Sequence, residues 1–322
     1  MNKIKRNIVN LFNPNNRFIK LGRSAKRIPS LFISIPLVVI IIILGVFTGE
    51  ILVFKIVLNS PHLSLLFRYL YSFTVTIFFV ILFLCLWIVF YEKRPLKTIG
   101  LKSSAPIKHY FKGFAIGACM MLITVGLIAL TGNVESRNTN NVLNIKRILP
   151  TCLMLFAYVL QGANEEFVSR GWQFQVISLR SHPWIGAVVT SLIFSLLHLG
   201  GGANLISFAN LFLFSFLLVL FVLNDGSIWS ACGWHSAWNW TMGSILGLNV
   251  SGREGVGVLF DLTLTGSTFV SGGEFGPEAS IMATIVLSAG ILLFLYARNC
   301  TQNNKTNLTH NDGINTENRP VT

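Results

Sequence analysis

Charge is what this sequence has least of. Only 11% of its 322 residues are Asp, Glu, Lys or Arg, against roughly 25% in a soluble globular domain, so most of the chain has lipid rather than water as its solvent. Segments alternating apolar and polar residues, the mark of a membrane β-barrel, are missing as well. Helices are then the way for the backbone to satisfy its hydrogen bonds in hydrocarbon. The five cysteines, at 85, 119, 152, 232 and 300, lie mostly in apolar segments without CxxC spacing, which suggests neither a disulfide framework nor a thiolate metal site. No HExxH occurs, so the single-helix zinc signature is absent. No inverted internal repeat is visible, which weighs against a transporter. The first apolar run follows a polar arm and is too long for the core of a cleavable signal peptide.

What is present are long apolar runs. Leu31 to Leu58 holds only Glu50 and Lys55 as charges, and Leu65 to Tyr91 holds only Arg68. About 20 apolar residues match the hydrocarbon thickness. The reading is an all-α polytopic membrane protein with about eight transmembrane helices, at roughly 31–58, 64–91, 110–131, 147–176, 183–203, 204–223, 227–248 and 281–297. It divides into a basic N-terminal arm (1–30), two N-terminal spans (31–91), a core (92–298) and a polar, disordered tail (299–322). The glycine-rich stretch 249–280 is too polar to cross and is expected to form an ordered external cap.

The net charge of +13 could suggest nucleic acid, but the bases cluster at helix ends. Residues 1–30 carry eight Lys/Arg and no acid, and Glu92 to Lys112 carries six bases against one Glu. Both segments are expected in the cytoplasm, which with an even number of spans also places the C-terminus there, in an inner-membrane protein. The lipid bilayer is the expected partner, and no nucleic acid is.

An ionisable side chain inside a span costs at least about 2.5–3.5 kcal/mol on insertion scales and needs a partner or a function. The fourth span reads QGANEEFVSRGWQF. Positions i and i+4 share a helix face, so Glu166 can pair with Arg170 while Glu165 points about 100° away. The bland reading is an interfacial anchor. The fifth span places Phe194 and His198 one turn apart, and a lone intramembrane histidine is more often a packing residue. The seventh places His235 and Asn239 one turn apart, and two strong hydrogen-bonding groups on one face of a lipid helix call for a polar cavity. Together these groups suit water-mediated amide hydrolysis. Glu165 and His198 can activate a water, and His235 and Asn239 can donate to an oxyanion. A catalytic zinc held by Glu165, His198 and His235 is the other chemistry this set allows, and the residues do not choose between the two.

The order EEFVSR, FSLLH, HSAWN resembles the CAAX protease and bacteriocin-processing family of intramembrane proteases, as do YEKRPLKTIGLK and GGEFGPEAS. The resemblance covers roughly residues 90–298. It implies a helical fold around an intramembrane catalytic cavity and an endopeptidase acting on a membrane-associated protein or peptide. Glu165 and His198 would act on the water and His235 and Asn239 on the oxyanion, with Glu166, Arg170 and Phe194 in support. Family members are described as metalloproteases, and a metal-free glutamate mechanism is also argued for. Some bacterial members are linked to bacteriocin maturation or self-immunity. Two other functions fit buried Glu and His: a non-catalytic immunity or scaffold protein that binds a bacteriocin or partner, and a coupled transporter.

Overall fold

The computed structural model describes residues 9–60, 64–137 and 144–317. The outer ends of the expected arm and tail, 1–8 and 318–322, lie outside the described residues. The fold is a helix bundle. In chain order its helices are α1 (Arg17–Gly22), α2 (Leu31–Asn59), α3 (Leu65–Leu86), α4 (Pro106–Leu130), α5 (Ile145–Glu166), α6 (Phe174–Arg180), α7 (Pro183–Leu197), α8 (Leu205–Asp225), α9 (Trp229–Trp240), α10 (Thr268–Ser271) and α11 (Ile281–Glu317). Proline opens α4 and α7, where its missing N–H is an orphan anyway. Asn204 and Ser207 form a reciprocal cap on α8, which ends at Gly226 with φ 65°.

Among the described residues, five helical stretches are long and apolar enough to cross a membrane: Leu31–Ile56, Leu66–Glu92, Pro106–Leu130, Leu205–Asp225 and Ile281–Thr301. Their outward faces carry exposed Phe32, Phe47, Phe54, Phe78, Ile123 and Leu292, as a lipid-facing surface requires. The chain is a multi-pass helical membrane protein, but fewer spans stand on their own than the eight expected. The expected spans at 147–176, 183–203 and 227–248 fall on helices that do not qualify. The helix α7 has 15 residues and ends at Leu197, and α9 has 12 and is buried on all sides from Ser230 to Asn239. The segment α5–α6 carries five charged groups between Lys146 and Arg170. Of these, α9 is enclosed by neighbours and can be short and polar, while α5 and α7 bury one face and expose Leu149, Phe156, Ile185 and Leu196 on the other.

Close backbone contact sets α9 in place. A Cβ on Gly113 would lie 2.0 Å from Ser230 O, one on Gly117 2.3 Å from Trp234 O, and one on Gly233 2.0 Å from Tyr110 O. Gly113 and Gly117 are four apart on one face of α4, the spacing that lets membrane helices approach backbone to backbone. On the other side, a Cβ on Gly162 of α5 would lie 2.8 Å from Ser236 N.

The cap expected at 249–280 is ordered. Strand β1 (Val134–Ser136) pairs antiparallel with β2 (Leu262–Leu264), Val134 opposite Leu264, a small addition to an otherwise helical fold. Thr151 Oγ1 donates to Gly257 O at 2.7 Å and Arg147 Nη1 to Leu259 O at 3.1 Å. The described part of the arm is packed rather than free, with Leu11 and Phe18 fully buried. A buried network fixes it: Gln175 Nε2 donates to Phe18 O at 2.8 Å and Thr98 O at 3.0 Å, while Trp172 Nε1 donates to Glu92 Oε1 at 2.6 Å. At the other end α11 runs on to Glu317, past its membrane-crossing stretch. The tail read as disordered is thus helical over its first part, since a helix once started adds one backbone hydrogen bond per residue.

Candidate active site

The continuation of α5 decides the site's geometry. Its helix does not stop at Glu166 but passes through a π-turn, Phe167–Gln173, into α6, so one helical rod runs from Ile145 to Arg180. A π-turn inserts an extra residue per turn and is frequent at functional sites. Glu166 and Arg170 are both fully buried, with Glu166 Oε1 2.9 Å from Arg170 Nη1. The guanidinium lies over the Phe194 ring at 4.4 Å from its centroid, an arrangement that holds a cation against an aromatic face.

Glu166 has a second partner that helical spacing could not disclose. His235 Nδ1 lies 2.8 Å from the same oxygen, Glu166 Oε1. With Nδ1–H donating to Glu166, the ring turns Nε2 toward Glu165, whose Oε2 is 3.7 Å away. His198 arrives from the other side. It caps α7, its Nδ1 is held by Phe194 O at 2.7 Å, and its Nε2 lies 3.6 Å from Glu165 Oε2. Two imidazoles from two helices therefore converge on one carboxylate oxygen of a third. Each has its other ring nitrogen committed, which fixes the tautomer in the manner that orients working histidines.

Asn239, 4% exposed, does not reach Glu165 directly. Its Nδ2 donates to Gln161 Oε1 at 3.3 Å, and Gln161 Nε2 donates to Glu165 Oε1 at 3.1 Å. Glu165, His198, His235, Asn239 and Gln161 all line a cavity of about 690 Å³. Aromatic walls back it: Phe194 stacks on Phe214 at 5.5 Å, and Phe214 meets the His235 ring edge-on at 4.9 Å. The cap closes one side through Glu278, which accepts from Trp238 Nε1 at 2.9 Å and from Ser251 N and Oγ at 3.0 and 2.7 Å.

Gln161, Phe214 and Glu278 were not foreseen. Gln161 carried a local signal, being one turn before Glu165 on the same face. Phe214 and Glu278 come from remote segments and carried none.

A zinc held by Glu165, His198 and His235 needs nitrogen and oxygen donors at about 2.0–2.2 Å around a common centre. Among the described residues no group of three or more His, Cys, Asp or Glu is gathered as a metal centre, yet His198 Nε2 and His235 Nε2 stand 3.6 and 3.7 Å from Glu165 Oε2, near the roughly 3.4 Å between two ligands of a tetrahedral ion with such bonds. These three residues would hold a zinc ion, which would polarise the attacking water, and the roles of the chain's own side chains toward water and oxyanion are the same with it or without it.

Residues 147–241 match the profile of the family described as type II CAAX prenyl endopeptidase Rce1-like. This stretch contains all three motifs, EEFVSR, FSLLH and HSAWN. It is narrower than the resemblance read from the sequence and leaves α2, α3 and the cap outside. No curated protein matches the chain.

Proposed function

We propose that this protein is an intramembrane endopeptidase that hydrolyses a peptide bond of a membrane-associated protein or peptide. The observation that carries the reading is the convergence of His198 Nε2 and His235 Nε2 on Glu165 Oε2 in the wall of a cavity. The match of the surrounding segment to an endopeptidase family supports it.

A water between Glu165 and His198 gives one proton to the Glu165 carboxylate and directs the other at His198 Nε2. Its oxygen bonds to the substrate carbonyl carbon, and the resulting oxyanion takes hydrogen bonds from Asn239 Nδ2 and His235 Nε2. For that donation His235 carries a proton on each nitrogen, one facing Glu166 and one facing the oxyanion. The carbon–nitrogen bond then breaks as the proton on Glu165 passes to the leaving amine. Each hand-over needs heavy atoms within hydrogen-bonding reach once substrate is bound.

We place the protein in an inner membrane with both termini cytoplasmic, consistent with the basic arm and the 92–112 loop. In this reading α5–α6, α7 and α9 are the remaining three of eight spans, α9 enclosed by the others and α5 and α7 with one face outward.

The reading is tested by comparing the membrane proteins of cells carrying wild-type and Glu165→Ala protein at equal levels. Precursors accumulate in the variant if the reading holds, and unchanged processing overturns it. Asn239→Ala supplies a second check. Loss of one oxyanion donor lowers turnover by about 100- to 1000-fold, with KM much less affected, and an unchanged kcat removes Asn239 from the oxyanion site.

A further inference from the structure

Gln161 is one turn from Glu165 on α5 and faces Asn239 of α9 across the cavity. Its two amide atoms are divided between the two halves of the site. Nε2 donates to Glu165 Oε1 at 3.1 Å, and Oε1 accepts from Asn239 Nδ2 at 3.3 Å. The oxygen of Glu165 that Gln161 holds is not the one that faces the histidines, which is Oε2.

We infer that Gln161 is a positioning residue that locks the water-activating carboxylate and the oxyanion-binding amide into one geometry. This rests on the endopeptidase reading above. By occupying Oε1, Gln161 fixes the rotation of the Glu165 carboxylate and leaves Oε2 as the basic oxygen between the histidines. By accepting one hydrogen of Asn239 Nδ2, it settles which way that amide faces. Nδ2 is thereby turned into the cavity with its second hydrogen free for an oxyanion, where a flipped amide would present an oxygen and repel it. A carboxylate and an amide on different helices would otherwise be held only by their own rotamer preferences, and the distance between base and oxyanion donor is the quantity on which preorganised catalysis depends. Gln161 touches neither the attacking water nor the scissile carbonyl, so its effect on rate is exerted through its two neighbours.

A double-mutant cycle in the full-length protein, reconstituted in vesicles of phosphatidylethanolamine and phosphatidylglycerol, tests this. The probe is a mixture of quenched fluorogenic peptides with apolar residues around the cleavable bond. Gln161→Met keeps the length of the side chain and removes both hydrogen bonds. It is expected to lower kcat about tenfold or more with KM changed less than about twofold, the pattern of a group acting only in the transition state. In an Asn239→Ala background the same substitution costs markedly less, because half of what it disturbs is already gone. A purely packing role would lower the folded fraction, giving equal fold-losses in both backgrounds. Gln161→Glu is the companion variant. It keeps an acceptor for Asn239 but loses the donor to Glu165, and it is expected to retain the coupling to Asn239 that Gln161→Met loses. Equal costs of Gln161→Met with and without Asn239, or an unchanged kcat, overturn the inference. Glu165→Ala run alongside separates the two levels: if it still cleaves, the endopeptidase reading falls, and if it is inactive while Gln161→Met behaves as wild type, only the role of Gln161 falls.

Discussion

Replacing Glu165 with alanine or glutamine is expected to lower kcat/KM by roughly 100- to 10,000-fold, the range supplied by a positioned general base. Glutamine is the sharper of the two substitutions. It preserves the shape of the side chain and can still accept from Gln161, but it takes no proton from water. The Glu165 side chain is 23% exposed to the cavity, as is that of His198, and no buried cation depends on it, since Arg170 is already paired with Glu166. Removing its charge should therefore leave the thermal midpoint within a few degrees of wild type while abolishing cleavage of the accumulated precursor. An immunity or scaffold protein that only binds its partner would behave in the opposite way, because Glu165→Gln preserves the cavity's shape. Full protection or processing by this variant, at normal expression, would end the enzymatic reading.

The second large effect concerns stability. Arg170→Met is expected to destabilise the protein by about 3–5 kcal/mol, because it leaves the fully buried Glu166 without the guanidinium that pairs with it. The double variant Arg170→Met/Glu166→Gln should regain much of that loss, since replacing both members of a buried ion pair is often close to neutral. Activity should not return with it. In the wild type His235 Nδ1 donates to a carboxylate 2.8 Å away, whereas a neutral amide there has two orientations and presents the ring with either its oxygen or its nitrogen. Unfolding in detergent, followed by tryptophan fluorescence, reads the first quantity, and cleavage of the precursor reads the second. A double variant as unstable as the single one would show that the pair is not the source of the loss. Recovery of both stability and cleavage would show that Glu166 serves only to balance Arg170.

The parts of this molecule that could be read from the sequence are those written in local spacing. Glu166 with Arg170, Phe194 with His198, and His235 with Asn239 are each one helical turn apart, and that separation is enough to predict which side chains share a face. The long lipid-facing helices were readable for a similar reason, since exposure to hydrocarbon leaves an uninterrupted apolar run. What could not be read comes from three other sources. The π-turn at Phe167–Gln173 adds a residue to a helix without changing its composition. The helix α9 is short and polar because other helices surround it, so no apolar length announces it. Contacts such as His235 with Glu166, 69 residues apart, and Trp238 with Glu278, 40 apart, depend on packing between elements. The close approach of α4 and α9 lies between these cases. Gly113 and Gly117 show the spacing in the sequence, but their partner backbone at Ser230 and Trp234 does not follow from it.

The bond between Trp238 and Glu278 also bears on the order in which the cavity is completed as the chain is made. Synthesis proceeds from the N-terminus, so α5, α7 and α9, with Glu165, His198, His235 and Asn239, are made before residue 278 exists. Until then the indole next to Asn239 has no acceptor, and Ser251 lacks the carboxylate that draws the cap over the cavity. Glu165, His198, His235 and Asn239 are thus all on the chain before the carboxylate that fastens the cap beside them, and the wall of their cavity at Trp238 and Ser251 is the part completed last.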